Sequence, residues 1–292
     1  MTLAEFEARA DRAHRLAYWM QALAVVLWWV GMKWIPGVYD VFAFPGVSRE
    51  QLFWFGLPDL VVLGGGAVWA ARRAESRIAG AVVLGGFLYA TLWCLSASVR
   101  TGGGWFGTMV MSWAVMLNVL LLGRQGLFRV CDDERPVWMA LKTFLQSAVI
   151  WVMGLWLFPW VILETFGGIS ALRTGRLVMG GLVFLSGSAV GIRSAVEMIR
   201  HGKGTPLPMD AAPELVTGGP YAIVRNPMAL GGLVQGMGVA VGIGSVSLAL
   251  YVFLGCGVWH FFVRPEEELF LFRRFGERYA KYVREVRCWI PK

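Results

Sequence analysis

The sequence predicts an all-α membrane protein: a polytopic helical bundle of about eight transmembrane helices, with a C-terminal helical hairpin followed by an amphipathic interfacial helix. Three observations carry this. Only 16% of the 292 residues are charged and 57% are hydrophobic, where a soluble domain carries about 25% charged residues. Apolar runs of roughly 18 or more residues recur along the chain, the length a helix needs to cross a bilayer. The basic residues gather at alternate ends of those runs, the pattern that sets topology.

The runs lie at Leu16–Ile35, Leu52–Ala71, Ile78–Val99, Trp105–Leu122, Trp138–Phe166, Leu177–Ile199, Met228–Ile243 and Val246–Val263. The fifth is long enough to tilt, with Pro159 a candidate kink. The last two are short, and only Gly244-Ser245 separates them, so they read as a hairpin. With both termini in the cytoplasm, only Lys33, Arg49, Arg100, Arg173 and Arg176 fall outside, so 22 of the 27 Lys and Arg lie inside. The expected location is a prokaryotic inner membrane with both ends cytoplasmic, and the first fifteen residues read as a cytoplasmic arm rather than a signal peptide.

Net charge is +8. These cations flank apolar runs and meet headgroups, and no basic stripe interleaved with aromatics marks a nucleic-acid surface. The cysteines (Cys94, Cys131, Cys256, Cys288) form no CxxC pair and have no histidine at ligand spacing, so neither a metal site nor a disulfide framework is expected. Within the early spans, Asp59 follows Pro58. An acid at bilayer depth is a functional candidate, but bonding to backbone groups freed at a helix break or to a neighbouring span is the favoured reading. The neighbouring Gly64-Gly65-Gly66 fits close helix packing.

Composition changes near residue 170. Residues 1–170 form an N-terminal bundle of about five spans without a readable role. Residues 171–292 hold the polar loop 200–227, the hairpin and a C-terminal helix over 266–284. The loop is crowded with proline and glycine, which stop a helix and build a rigid surface. Asn226 caps the next helix and Pro227 occupies its first turn. That positive helix start, beside Arg225, suits a carboxylate. Across the hairpin, Arg264-Pro265-Glu266-Glu267-Glu268 opens the final segment with acids in its first turn. A carboxylate seat and an ammonium seat on one side of the membrane suit a zwitterionic amino-acid moiety. Beyond them, Leu269, Phe272, Phe275, Tyr279, Tyr282 and Val283 form the apolar face of an interfacial helix, interrupted at Gly276.

The string LVTGGPYAIVRNPMALGG, a hairpin, and then RPEEELFLFRRFGERYAKYVREVRCWIP together resemble the C-terminal signature of the isoprenylcysteine carboxyl methyltransferase and phospholipid methyltransferase families. The resemblance covers about residues 200–291. It implies an integral membrane methyltransferase using S-adenosyl-L-methionine, with a lipid or small apolar acceptor entering from the bilayer. Carried over position by position, the cofactor contacts are Leu215, Val216, Tyr221, Asn226, Pro227, Met228, Ala229 and one of Glu267 or Glu268. Arg225 joins them from the helix-start reading, and Arg264 is matched to the basic residue facing the acceptor, with Asn226 beside it as the second catalytic position. Two positions depart from the family pattern: Asn226 replaces its histidine and Ala229 its tyrosine. Asparagine still caps a helix and hydrogen-bonds a carboxylate. Two rival readings are a membrane reductase of sterol-reductase type binding NADPH, and a non-catalytic membrane module with a decayed site.

Overall fold

The computed structural model describes residues 2–128, 130, 136–168, 173–204 and 211–291. Among them the regular structure is helical, apart from an isolated bridge between Val130 and Ala211. The elements are α1 (Leu3–Trp34), α2 (Arg49–Arg72), α3 (Arg77–Thr101), α4 (Trp105–Gly123), α5 (Val137–Phe166), α6 (Thr174–Gly202), α7 (Pro227–Ile243), α8 (Val246–Phe275) and α9 (Glu277–Glu285). Six of them, α2 to α6 and α8, are long and apolar enough to cross a membrane, and the protein is an integral membrane protein. The sequence count of eight needs α1 and α7 as well. α7 is apolar but has 17 residues, and α1 devotes its first half to charged side chains. By length and composition, six spans stand.

The chain divides into two compact units, Glu7–Arg124 and Met1–Phe6 with Gln125–Lys292. In the first, buried polar side chains pair across helices. Asn118 Nδ2 donates to Gln21 Oε1 at 2.8 Å, and Gln21 Nε2 returns a bond to Asn118 Oδ1 at 3.4 Å. Ser98 and Thr108 hydroxyls meet at 2.8 Å. Such reciprocal pairs satisfy groups that neither lipid nor a dry core would.

The second unit is built on α6 and α7, antiparallel and in backbone contact. A methyl group at Gly180 would lie 2.5 Å from Gly242 N and 2.6 Å from Gly238 O, and one at Gly187 would lie 2.7 Å from Gly231 O. Glycine is the only residue that lets the backbones approach this closely. Gln235 Nε2 crosses the seam to Ser188 Oγ at 2.9 Å.

Two prolines that should break helices sit behind π-helical turns. In α5 the turn Val152–Leu157 precedes Pro159, and Phe158 N–H bonds Met153 O, five residues back. At the next position Pro159 has no N–H to give, so the Gly154 carbonyl is free and accepts Tyr251 O–H from α8 at 3.0 Å. In α8 the turn Trp259–Val263 does the same before Pro265. α8 therefore runs without a break from Val246 to Phe275. The sequence reading placed a new helix start at Arg264, with Glu266–Glu268 in its first turn; the structure corrects it. The proline's missing donor is absorbed by the wider turn, so the glutamates lie inside a continuous helix and no helix-end field acts on them. The chain breaks at Gly276 (φ 54°), and α9 starts there.

Candidate functional site

The site grows from the C-terminal end of α6. Glu197 ends its regular part, and a π-helical turn Met198–Gly202 follows. Glu197 Oε1 takes His201 Nδ1 at 3.0 Å, and the returning loop lays Gly218 and Gly219 on the same carboxylate. A Cβ at Gly218 would meet Glu197 Oε1 at 2.8 Å, and Gly219 holds φ at 55°. A side chain at Gly218 would displace the Glu197 carboxylate, and one at Gly219 would strain the left-handed backbone. Pro220 then leads a short 3₁₀ turn, Gly219–Ala222, that buries Tyr221.

The end of α8, α9 and the residues after it hold that loop down. Tyr282 O–H donates to Tyr221 O at 2.7 Å, Arg225 N–H to Arg287 O at 2.9 Å, and Arg274 Nη2 to Pro213 O at 3.1 Å. The apolar face that the sequence assigned to the interface is thus spent partly on protein: Tyr279, Ala280 and Tyr282 are buried, and Phe272 stacks near Phe6 at 4.7 Å between ring centroids.

Asn226 does two jobs. Its Oδ1 accepts Ala229 N–H at 3.4 Å and caps α7, while its Nδ2 donates to Glu267 Oε2 at 3.2 Å. An amide carries an acceptor and a donor at once, which accounts for asparagine here. One residue further along α8, Glu268 Oε1 sits 3.0 Å from Arg225 Nη1 and 3.6 Å from Arg264 Nε, all three side chains nearly buried. The two glutamates are therefore not equivalent. Glu268 is neutralised by two guanidinium groups, and Glu267 has an uncharged amide as its hydrogen-bond partner.

These groups surround one cleft with about 910 Å³ of empty space, its open mouth included. Leu215, Val216, Tyr221, Arg225, Asn226, Met228, Arg264, Glu267 and Glu268 line it, so nine of the sequence-predicted site residues meet there. Pro227 and Ala229 do not line it. Pro227 is fully buried, and Ala229 contributes its backbone N–H to the cap. The cleft also has walls the sequence reading did not assign to it: Met198, Trp259, Phe270, Leu271, Phe275, Tyr279 and Cys288 among them. Phe270 stacks on Phe128 at 5.1 Å. The helical spacing of Phe275 and Tyr279 was visible, but spacing alone does not say whether an apolar face meets lipid or a ligand.

Burial raises the phenols of Tyr221, Tyr279 and Tyr282, and the Cys288 thiol, above their ordinary pKa values, because a low-dielectric site penalises the anion. All four stay neutral near pH 7, so the cleft offers no phenolate or thiolate base. His260 is fixed as well. Trp289 Nε1–H, a donor only, reaches His260 Nδ1 at 2.8 Å, so Nδ1 is the unprotonated nitrogen. Arg264 Nη1 approaches the same nitrogen at 3.2 Å. The histidine holds Arg264 rather than serving as a free base at that atom. No group of three or more metal-ligating side chains occurs among the described residues.

No curated protein matches the chain. Its C-terminal part, residues 175–278 from α6 into α9, matches the model of the phospholipid methyltransferase family.

Proposed function

We propose that the protein is an S-adenosyl-L-methionine-dependent membrane methyltransferase acting on a lipid-soluble or small apolar acceptor at the cytoplasmic face. In this reading residues 171–292 are the methyltransferase module, residues 1–170 a separate N-terminal bundle, and both termini face the cytoplasm of a prokaryotic inner membrane. The observation that carries the reading is the convergence of the two family-matched blocks on one cleft, with Asn226 of the first bonded to Glu267 of the second.

The donor set fits the cofactor. Arg225 Nε is buried and has no hydrogen-bond partner among the described residues. It stands beside the start of α7, where a carboxylate is favoured. Glu267, whose charge no bonded guanidinium cancels, is the seat for an ammonium. Leu215, Val216, Met198 and the rings of Phe275 and Tyr279 give an apolar wall for the remainder. When bound, S-adenosylmethionine supplies an electrophilic methyl group on a sulfonium.

The chain's own contribution is positioning and exclusion of water. Arg264, held by His260 and Glu268, presents a cation towards an anionic acceptor. With the cleft's phenols and thiol protonated and His260 Nδ1 engaged, an acceptor that arrives as carboxylate or thiolate needs nothing further, whereas an amine must arrive deprotonated.

Thermal unfolding of the purified chain tests this. S-adenosylhomocysteine at 100 times its dissociation constant should stabilise the fold by about 2.7 kcal/mol, and NADPH should not. Stabilisation by NADPH alone would assign a reductase instead. A response to neither ligand would leave a membrane module without a cofactor.

A further inference from the structure

The Glu7–Arg124 unit holds a second cleft with about 500 Å³ of empty space, its mouth included, which the methyl-transfer reading does not use. Seven of its thirteen lining residues are aromatic. Trp28 meets Phe42 edge-on at 5.5 Å, Trp93 meets Phe44 edge-on at 5.3 Å, and Phe55 lies 4.6 Å from Trp93. One carboxylate, Asp59, lines it with them. Trp28 Nε1 is buried and has no hydrogen-bond partner among the described residues.

One ring depends on a glycine: Gly104, at φ 70°, leaves room for Phe44, which a Cβ would strike. The carboxylate is placed as deliberately. Asp59 follows Pro58 and opens a π-helical segment, Asp59–Gly65, and such turns inside helices are frequent at functional sites. It stands within the membrane span α2, where an acid is retained when it has a partner. Its carboxylate meets the Trp29 indole, and no lysine or arginine pairs with it among the described residues. A carboxylate without a cation, inside a box of aromatic faces, lacks a soft positive charge. Aromatic faces attract cations, most strongly those with little hydration to lose.

We propose that this cleft binds an alkylated ammonium group of the trimethylammonium type, carried by a free amine such as choline or by a lipid headgroup, with Asp59 as counter-ion. The sequence reading had Asp59 bonding to backbone freed at a helix break or to a neighbouring span, and its carboxylate does meet the Trp29 indole of α1. The aromatic box offers it a cationic ligand in addition.

The full-length chain in detergent is titrated calorimetrically with choline chloride and with 3,3-dimethylbutan-1-ol, its uncharged isostere. Choline should bind at least about tenfold tighter than the isostere, as expected of a desolvated cation–aromatic contact near a carboxylate. Asp59→Asn should remove that preference, and Trp93→Leu should weaken choline by a similar factor. Equal affinity for the two ligands in the wild-type chain overturns the proposal and does not depend on how either variant folds. If free choline does not bind, the chain is placed in phosphatidylcholine or phosphatidylglycerol nanodiscs. A rise in melting temperature with phosphatidylcholine that Asp59→Asn abolishes assigns the lipid-borne group. The absence of that difference overturns the proposal.

Discussion

Gly238→Ala should destabilise the protein by about 3 kcal/mol or more, and Gly238→Leu should prevent it from folding, although each adds only apolar atoms to an apolar helix. The added Cβ would lie 2.6 Å from Phe184 N and 2.8 Å from Gly180 O. These are backbone atoms that cannot turn aside as a side chain can, so overpacking reaches or exceeds the upper end of its usual range. Gly232, also in α7, provides the control: nothing lies within 4 Å of a Cβ there, and alanine should be neutral or stabilising through helix propensity. Reversible unfolding in mixed micelles, comparing the two alanine variants, checks the contrast. Equal stabilities would mean that the α6–α7 seam is not packed backbone to backbone.

Glu268→Gln should cost about 3–5 kcal/mol of stability, because it leaves Arg225 and Arg264 nearly buried without their shared counter-charge. Adding Arg225→Gln should recover part of that loss, since the second change removes one of the stranded cations. A double-mutant cycle measured by unfolding gives the coupling directly. A loss below about 1 kcal/mol would place the three side chains in water rather than in the cleft wall. This result also separates the neighbouring acids: Glu268 supports the fold, and Glu267 is left for the ligand.

Much of the C-terminal part is legible in the sequence because its signals are local. Gly244-Ser245 between two apolar runs marks the hairpin, and Asn226-Pro227 marks a helix start by chemistry carried in two residues. The division of labour between Glu267 and Glu268 is not local. Adjacent helical residues point about 100° apart, and only the folded chain shows that one faces an amide and the other two guanidinium groups. Pro265 misleads for the opposite reason. The rule that proline ends a helix is sound for an α-helical ladder, but a π-helical turn has already shifted the bonding by one residue when it arrives. Gly180, Gly187, Gly231 and Gly238 are visible as small residues in apolar runs, yet nothing in their spacing names the partner helix. The aromatic box draws on α1, the segment after it, α2 and α3, with Asp59 the only member that stands out alone.

The central claim is that the cleft between the loop after α6 and the Glu267 turn of α8 holds S-adenosylmethionine. It is tested most directly by isothermal calorimetry of S-adenosylhomocysteine against the wild-type chain and Glu267→Gln, with melting curves to verify that the variant is folded. A charge-assisted hydrogen bond contributes about 1.5–3 kcal/mol, so the variant should bind roughly 10- to 150-fold more weakly at nearly unchanged stability. Wild-type binding that survives Glu267→Gln within twofold would contradict the account.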